Sequence, residues 1–179
     1  MHLVPDTEAC LVAAVALVNS AGPPDSLQTT EDLDAFFAAH QYTGAHARDR
    51  QELEAVRALR PTLRALLLSP REQAAQQVNR LLSDARALPQ LVRHDSRDWH
   101  LHAVGPHEPL ATRITVETAM AMVDLIRADE LSRLSSCART GCDGLVLDLT
   151  RNRSRRFCST ACNNRTAVAA YRARKAGAG

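Results

Sequence analysis

The chain has 179 residues, a mass of 19.5 kDa and a formal net charge of +2, with 45% hydrophobic and 23% charged residues. These values fit one globular domain with at most a small appendage, and exclude a wholly disordered chain. Aromatic residues make up only 3%, so the core must be built from Leu, Val, Ala and Ile, which suits packed helices better than a large sheet.

Residues Ala9 to Val18 form an apolar run. It is too short to span a bilayer, which takes about 20 apolar residues. Asp6 and Glu8 precede it with no Lys or Arg, so the positive region of a signal peptide is missing. The run reads as a core helix, Glu8 to Ser20, of a cytoplasmic protein with no membrane partner, and Cys10 within it as a buried small hydrophobe. Ala21-Gly22-Pro23-Pro24 closes that helix.

A second helix is predicted from Thr29 or Thr30, where Thr29 and Asp32 form a capping pair, with Leu33, Phe36 and Phe37 inward. A third spans about Ala47 to Leu68, with Leu53, Val56, Leu59, Leu63, Leu66 and Leu67 at helical spacing. Pro61 removes a backbone donor there and predicts a kink or break. Ser69-Pro70-Arg71-Glu72 gives a start signal for a fourth helix, with Ser69 as cap, that runs to about Ala87.

After Pro89 the periodicity changes to two. Leu91-Val92-Arg93-His94 and Trp99 to Val104 read as the arms of a β-hairpin. His94, His100 and His102 cluster there, with His107 nearby; packed or surface histidines are the ordinary reading, and a second metal or a ligand pocket the sharper one. Trp99 reads as a core or interface anchor. A last body helix runs from about Thr115 to Leu134. The fold class is therefore mainly α: a helical body over residues 1–134 with a small β-hairpin, then a C-terminal unit over 135–179 that, with the last helix running almost directly into Cys137, is expected to be mounted on the body rather than tethered loosely.

That unit carries Cys137 and Cys142 with four residues between them, and Cys158 and Cys162 with three; fifteen residues separate the pairs. Two close pairs at this separation can fold back into one tetrahedral thiolate set, the closed arrangement of one structural Zn2+. In a reducing cytosol, clustered cysteines point to metal rather than disulfides. Catalytic zinc keeps an open position and four thiolates leave none; iron–sulfur ligation is the alternative, but the spacing does not ask for it. A knuckle turning at Gly141, a strand over Leu145–Leu149, a returning strand at 156–158 and a helix from Ser159 give a treble-clef-like finger. A unit of about 40 residues is too small to fold on burial alone, and zinc supplies the difference.

Cys137 to Lys175 resembles the CGNR zinc finger of bacterial regulators. The resemblance rests on Leu147-Asp148, Arg151-Asn152-Arg153-Ser154-Arg155-Arg156-Phe157-Cys158, Cys162-Asn163-Asn164-Arg165 and Tyr171-Arg172-Ala173-Arg174. Asn163 stands where the motif has Gly, Phe157 where it has Trp, and Thr166 at a position often basic. The preceding region is similar in layout to the alanine-rich ABATE domain that accompanies this finger, and Leu17-Val18-Asn19-Ser20 resembles a segment at that domain's start. The resemblance implies transcriptional regulation.

Charge locates the partner. From Cys137 onward nine basic residues face two acidic ones, a net of +7; the other 136 residues hold 13 basic and 18 acidic groups, a net of −5. A basic terminal module on a mildly acidic body suits a polyanion. Arg165 and Arg172 are seven apart, about 20° offset on a helix, and share a face suited to base edges. Arg151, Arg153, Arg155 and Arg156 alternate on a hairpin, two to a side, so not all four can contact one duplex; phosphate contacts are the favoured reading and structural packing of one of them the alternative, and Arg174 and Lys175 extend the cationic surface. Asp148 is expected to pair with a neighbouring Arg and so fix the loop. The favoured reading is a zinc-dependent transcription regulator that binds double-stranded DNA, with a body that senses a small-molecule effector, a stress signal or a partner; a homodimer would double a short footprint. The alternative is a protein-interaction or RNA-binding module. No nucleophile–base motif, P-loop or dinucleotide fingerprint points to an enzyme.

Overall fold

The computed structural model describes residues 4–93 and 99–176. Helix α1 (Pro5–Asn19) begins with Pro at its first position and Asp6 and Glu8 in its first turn, which complement the exposed amides and the dipole. It therefore starts three residues before the expected Glu8. Helix α2 (Thr30–Ala39) carries the predicted capping box: Asp32 N donates to Thr29 Oγ1 at 3.2 Å and Thr29 N to Asp32 Oδ2 at 2.9 Å.

Helix α3 (Arg50–Leu67), capped by Asp49, runs without interruption through Pro61. The expected break does not occur. Leu53, Val56, Leu63, Leu66 and Leu67 lie on one buried stripe, at about 1.5–3 kcal/mol each, against about 3 kcal/mol for an interior proline. Helix α4 (Arg71–Asp84) lacks the expected serine cap. The Ser69 hydroxyl instead donates to Ala65 O at 2.7 Å and accepts from Gln77 Nε2 at 2.6 Å, so it serves the end of α3.

Strands β1 (Gln90–Val92) and β2 (His100–His102) pair antiparallel, Val92 opposite His100 and Gln90 opposite His102. His94 lies outside the described residues. Helix α5 (Leu110–Arg127) starts five residues earlier than expected, just after Pro109, and ends earlier because Asp129 takes a left-handed φ of 57°. A 3₁₀ turn (Leu131–Arg133) leads into β3 (Leu134–Ser136), which pairs antiparallel with β4 (Leu145–Leu147). Helix α6 (Thr160–Ala176) ends the described chain. The expected returning strand at 156–158 is not formed; Ala138 N donates to Arg156 O at 2.9 Å and Cys158 N to Cys137 Sγ at 3.5 Å, without a strand ladder.

Helix α5 is the centre of the body, packed against α1, α3 and α4. Leu11, Leu17, Leu33, Leu63, Ile114, Met122 and Leu125 are fully buried there. Leu134, Leu145 and Leu147 belong to the same core cluster, so the β3–β4 hairpin is packed into the body. Among the described residues no helix is long and apolar enough to cross a membrane.

Candidate metal centre and basic surface

The four cysteines come from three local structures. Cys137 follows β3 directly. Cys142 closes a knuckle in which its N donates to Arg139 O at 3.1 Å and Gly141 takes φ 72°, a left-handed turn that glycine adopts without a Cβ penalty. Cys158 precedes α6, and Cys162 sits in its first turn, where Cys162 N donates to the Ser159 hydroxyl at 3.2 Å as a helix N-cap.

Their sulfur atoms all lie within 4.8 Å of one another. Cys142–Cys158, Cys158–Cys162 and Cys162–Cys142 are separated by 3.7, 3.6 and 3.7 Å. Zinc–sulfur bonds of about 2.3 Å in a tetrahedron require about 3.8 Å between sulfurs, so the set fits one structural zinc ion. Cys137 and Cys162 are buried and the other two half-buried.

Electrostatics favour the same conclusion. A hydrogen bond from Ser159, then one from Arg139, draws Cys162 down to about 6, whereas burial and the neighbouring sulfurs push Cys158 up to about 12. Crowded thiols cannot all ionise unaided, and a divalent cation removes that conflict. Donors already surround the sulfurs: Arg139 Nε reaches Cys162 Sγ at 3.2 Å, Gly144 N reaches Cys142 Sγ at 3.5 Å, and Cys158 N reaches Cys137 Sγ at 3.5 Å. These N–H groups spread thiolate charge and orient the ligands.

Gly144 was not legible as a site residue. A Cβ there would sit 2.7 Å from Cys158 Sγ, so the position admits only glycine without movement. Phe157 and Val146 pack against the cysteines as a small apolar cluster, which gives Phe157 a core role where the motif has Trp. Asn163 lies inside α6 with no left-handed backbone, so the loss of the motif glycine imposes no turn strain.

The basic loop is held from beneath. Buried Asp148 accepts from Thr150 N at 2.8 Å, Thr150 Oγ1 at 2.5 Å and Arg155 N at 2.7 Å. Burial alone would raise its carboxyl, but these bonds and the Arg133 charge together hold it below its ordinary value. Asp148 thus fixes the loop mainly through backbone amides. Arg133, also buried, donates to Asp148 O at 2.9 Å and pairs with Glu130 at 2.9 Å.

Arg153 joins that network. Its Nη2 lies 2.7 Å from Glu130 Oε2, its Nη1 donates to Ser132 Oγ at 2.9 Å, and its backbone has φ 49°. Arg155 folds over the carbonyls of Phe157 and Cys158, each at 3.4 Å. Arg151, Arg156, Arg165, Arg172, Arg174 and Lys175 are exposed. Beyond Thr166 every described residue of α6 is exposed, including Val168 and Tyr171, so the helix is anchored only at its first turns.

Residues 11–129 match the ABATE family model, described as "Putative stress-induced transcription regulator", and residues 133–175 match the CGNR zinc finger. No curated protein matches the chain significantly.

Proposed function

The chain belongs to the ABATE family and carries a CGNR zinc finger behind that domain, and from this we propose that it is a cytoplasmic, zinc-dependent transcription regulator that binds double-stranded DNA through the finger. In this reading residues 1–134 sense an effector, stress signal or partner, residues 135–179 bind DNA, and the chain acts as a homodimer. The observation that carries the proposal is α6. Its anchored end is the zinc site, and its remainder stands clear of the body with Asn164, Arg165, Val168, Tyr171, Arg172 and Lys175 along one side at helical spacing. A helix with no core contact on any side is marginal in water. A major groove would accept such a helix, with the arginines suited to guanine and Val168 to a thymine methyl.

The test is selection of bound genomic fragments with purified zinc-loaded protein, followed by salt titration on the best fragment. An enriched motif with steep salt dependence supports the proposal. Absence of salt-dependent binding to any duplex, with zinc confirmed in place, favours the protein-interaction or RNA-binding reading.

A further inference from the structure

The β1–β2 hairpin inverts the usual arrangement of a surface sheet. An antiparallel pair ordinarily turns its apolar residues toward the core and its polar ones toward water. Here His100 and His102 take the inward face, lining a space shared with α1 and α5, and His100 is buried. Leu91 and Leu101, directly opposite one another in the ladder, are 65% and 51% exposed. Trp99, two residues before Leu101, is 61% exposed, and Leu88, just before β1, is 73% exposed. Residues two apart on a strand share a face and opposed residues lie side by side, so Leu91, Leu101 and Trp99 fall on the outward face together. Apolar side chains scattered singly over a surface are ordinary, whereas a contiguous patch marks an interaction site.

The patch is also uncharged. From Leu88 to Val92, and again from Trp99 to Val104, there is no Lys, Arg, Asp or Glu, in a chain where 23% of residues are charged. Arg93, the next residue after Val92, is exposed and stands at the margin. A nucleic acid would find no cation within the patch to neutralise its phosphates. A two-fold axis sets a surface against its own copy, so a charged patch would meet its like, while a neutral apolar one is self-complementary. The four side chains offer on the order of 500 Å² per copy. Two copies together reach about 1,000 Å², the lower bound of a specific interface and well short of an obligate one.

We infer that the outward face of the β1–β2 hairpin is the surface through which two copies of this chain pair reversibly, leucines against leucines, with Trp99 as the aromatic anchor. The pairing rests on the homodimer reading above and gives it a surface; it requires neither zinc nor DNA.

Trp99 is the only tryptophan of the chain, so its fluorescence reports on this face alone. Full-length protein is followed by sedimentation and by emission from about 1 μM to about 1 mM, the span of weak association. A monomer–dimer equilibrium is expected, with Trp99 emission moving to shorter wavelength in step with the dimer fraction. Leu91→Gln/Leu101→Gln should raise the dissociation constant by more than about 10-fold, with zinc content and the far-ultraviolet spectrum unchanged. Leu68→Gln, at an exposed leucine elsewhere, should leave the equilibrium as it is. A dimer whose Trp99 emission does not move, or that persists in folded Leu91→Gln/Leu101→Gln protein, overturns the assignment and leaves the homodimer standing on another surface. A chain that stays monomeric over the whole span overturns both, while DNA binding stands or falls by its own salt titration.

Discussion

The side-chain amide of Asn19 grips both polar groups of the Leu145 backbone: Nδ2 donates to Leu145 O at 2.9 Å, and Leu145 N donates to Oδ1 at 2.6 Å. Asn19 is the last residue of α1 and Leu145 the first of β4, so one amide stands where a neighbouring strand would pair. Asn19→Ala should cost about 1–3 kcal/mol for each backbone group left unsatisfied. Urea titration of zinc-loaded protein checks this, with zinc stoichiometry expected to stay unchanged.

Gly144→Ala tests the thiolate cage. Its new Cβ would fall 2.7 Å from Cys158 Sγ, and zinc affinity measured by chelator competition should drop by about 10–100-fold. Cys158→Ser should lose the metal outright. The circular-dichroism change should be confined mainly to the 17 residues of α6, with a lowered melting temperature for the body because Leu145 and Leu147 share its core.

Arg153 and Arg156 should separate by the property they affect. Arg153→Ala leaves buried Glu130 with only Arg133 and should destabilise the fold by about 1–3 kcal/mol. Arg156→Ala should leave stability within about 0.5 kcal/mol and flatten the salt dependence of DNA binding by about 0.9 per lost phosphate contact. Denaturation and salt titration of both variants are the check.

Arg172→Ala should cost about 1–3 kcal/mol on the preferred fragment and less on random duplex, if α6 reads bases. Equal losses on both would assign it to phosphate.

Asp25 sets an acid-side dependence in the body. Its hydrogen bonds from Arg60, at 2.8 and 3.0 Å, lead the causes that hold its carboxyl below the ordinary value. Its contribution to stability is therefore complete above the unfolded value of about 3.9 and is lost as pH falls through the lower folded value. The difference in stability between wild type and Asp25→Asn should narrow below pH 4, as read by urea titrations from pH 6 downward.

Local signals carried much of this architecture. The cysteine spacing, the Thr29–Asp32 cap, the change to two-residue period after Pro89 and the knuckle glycine each act within a few residues. Ser69 shows where local rules tie: it stands both two residues after Leu67 and two before Arg71, and the far partner Gln77 decides. The pairing of β4 was illegible for another reason. All three of its residues are buried, Leu145 and Leu147 toward the body and Val146 toward the cysteines, so no alternation marks a face. Asn19 gave no signal because its partner lies 126 positions away.

The leucines of β4 bear on how such a protein can be recombined. A fusion that moved residues 133–175 to another carrier would bring Leu134, Leu145 and Leu147 with nothing to cover them, and the donor would keep an open trench along α1. The finger is not a portable cassette. Exchange between relatives would succeed only when α1, with its terminal asparagine, travels too, so chimeras should be cut by packing and not at the gap between 129 and 133.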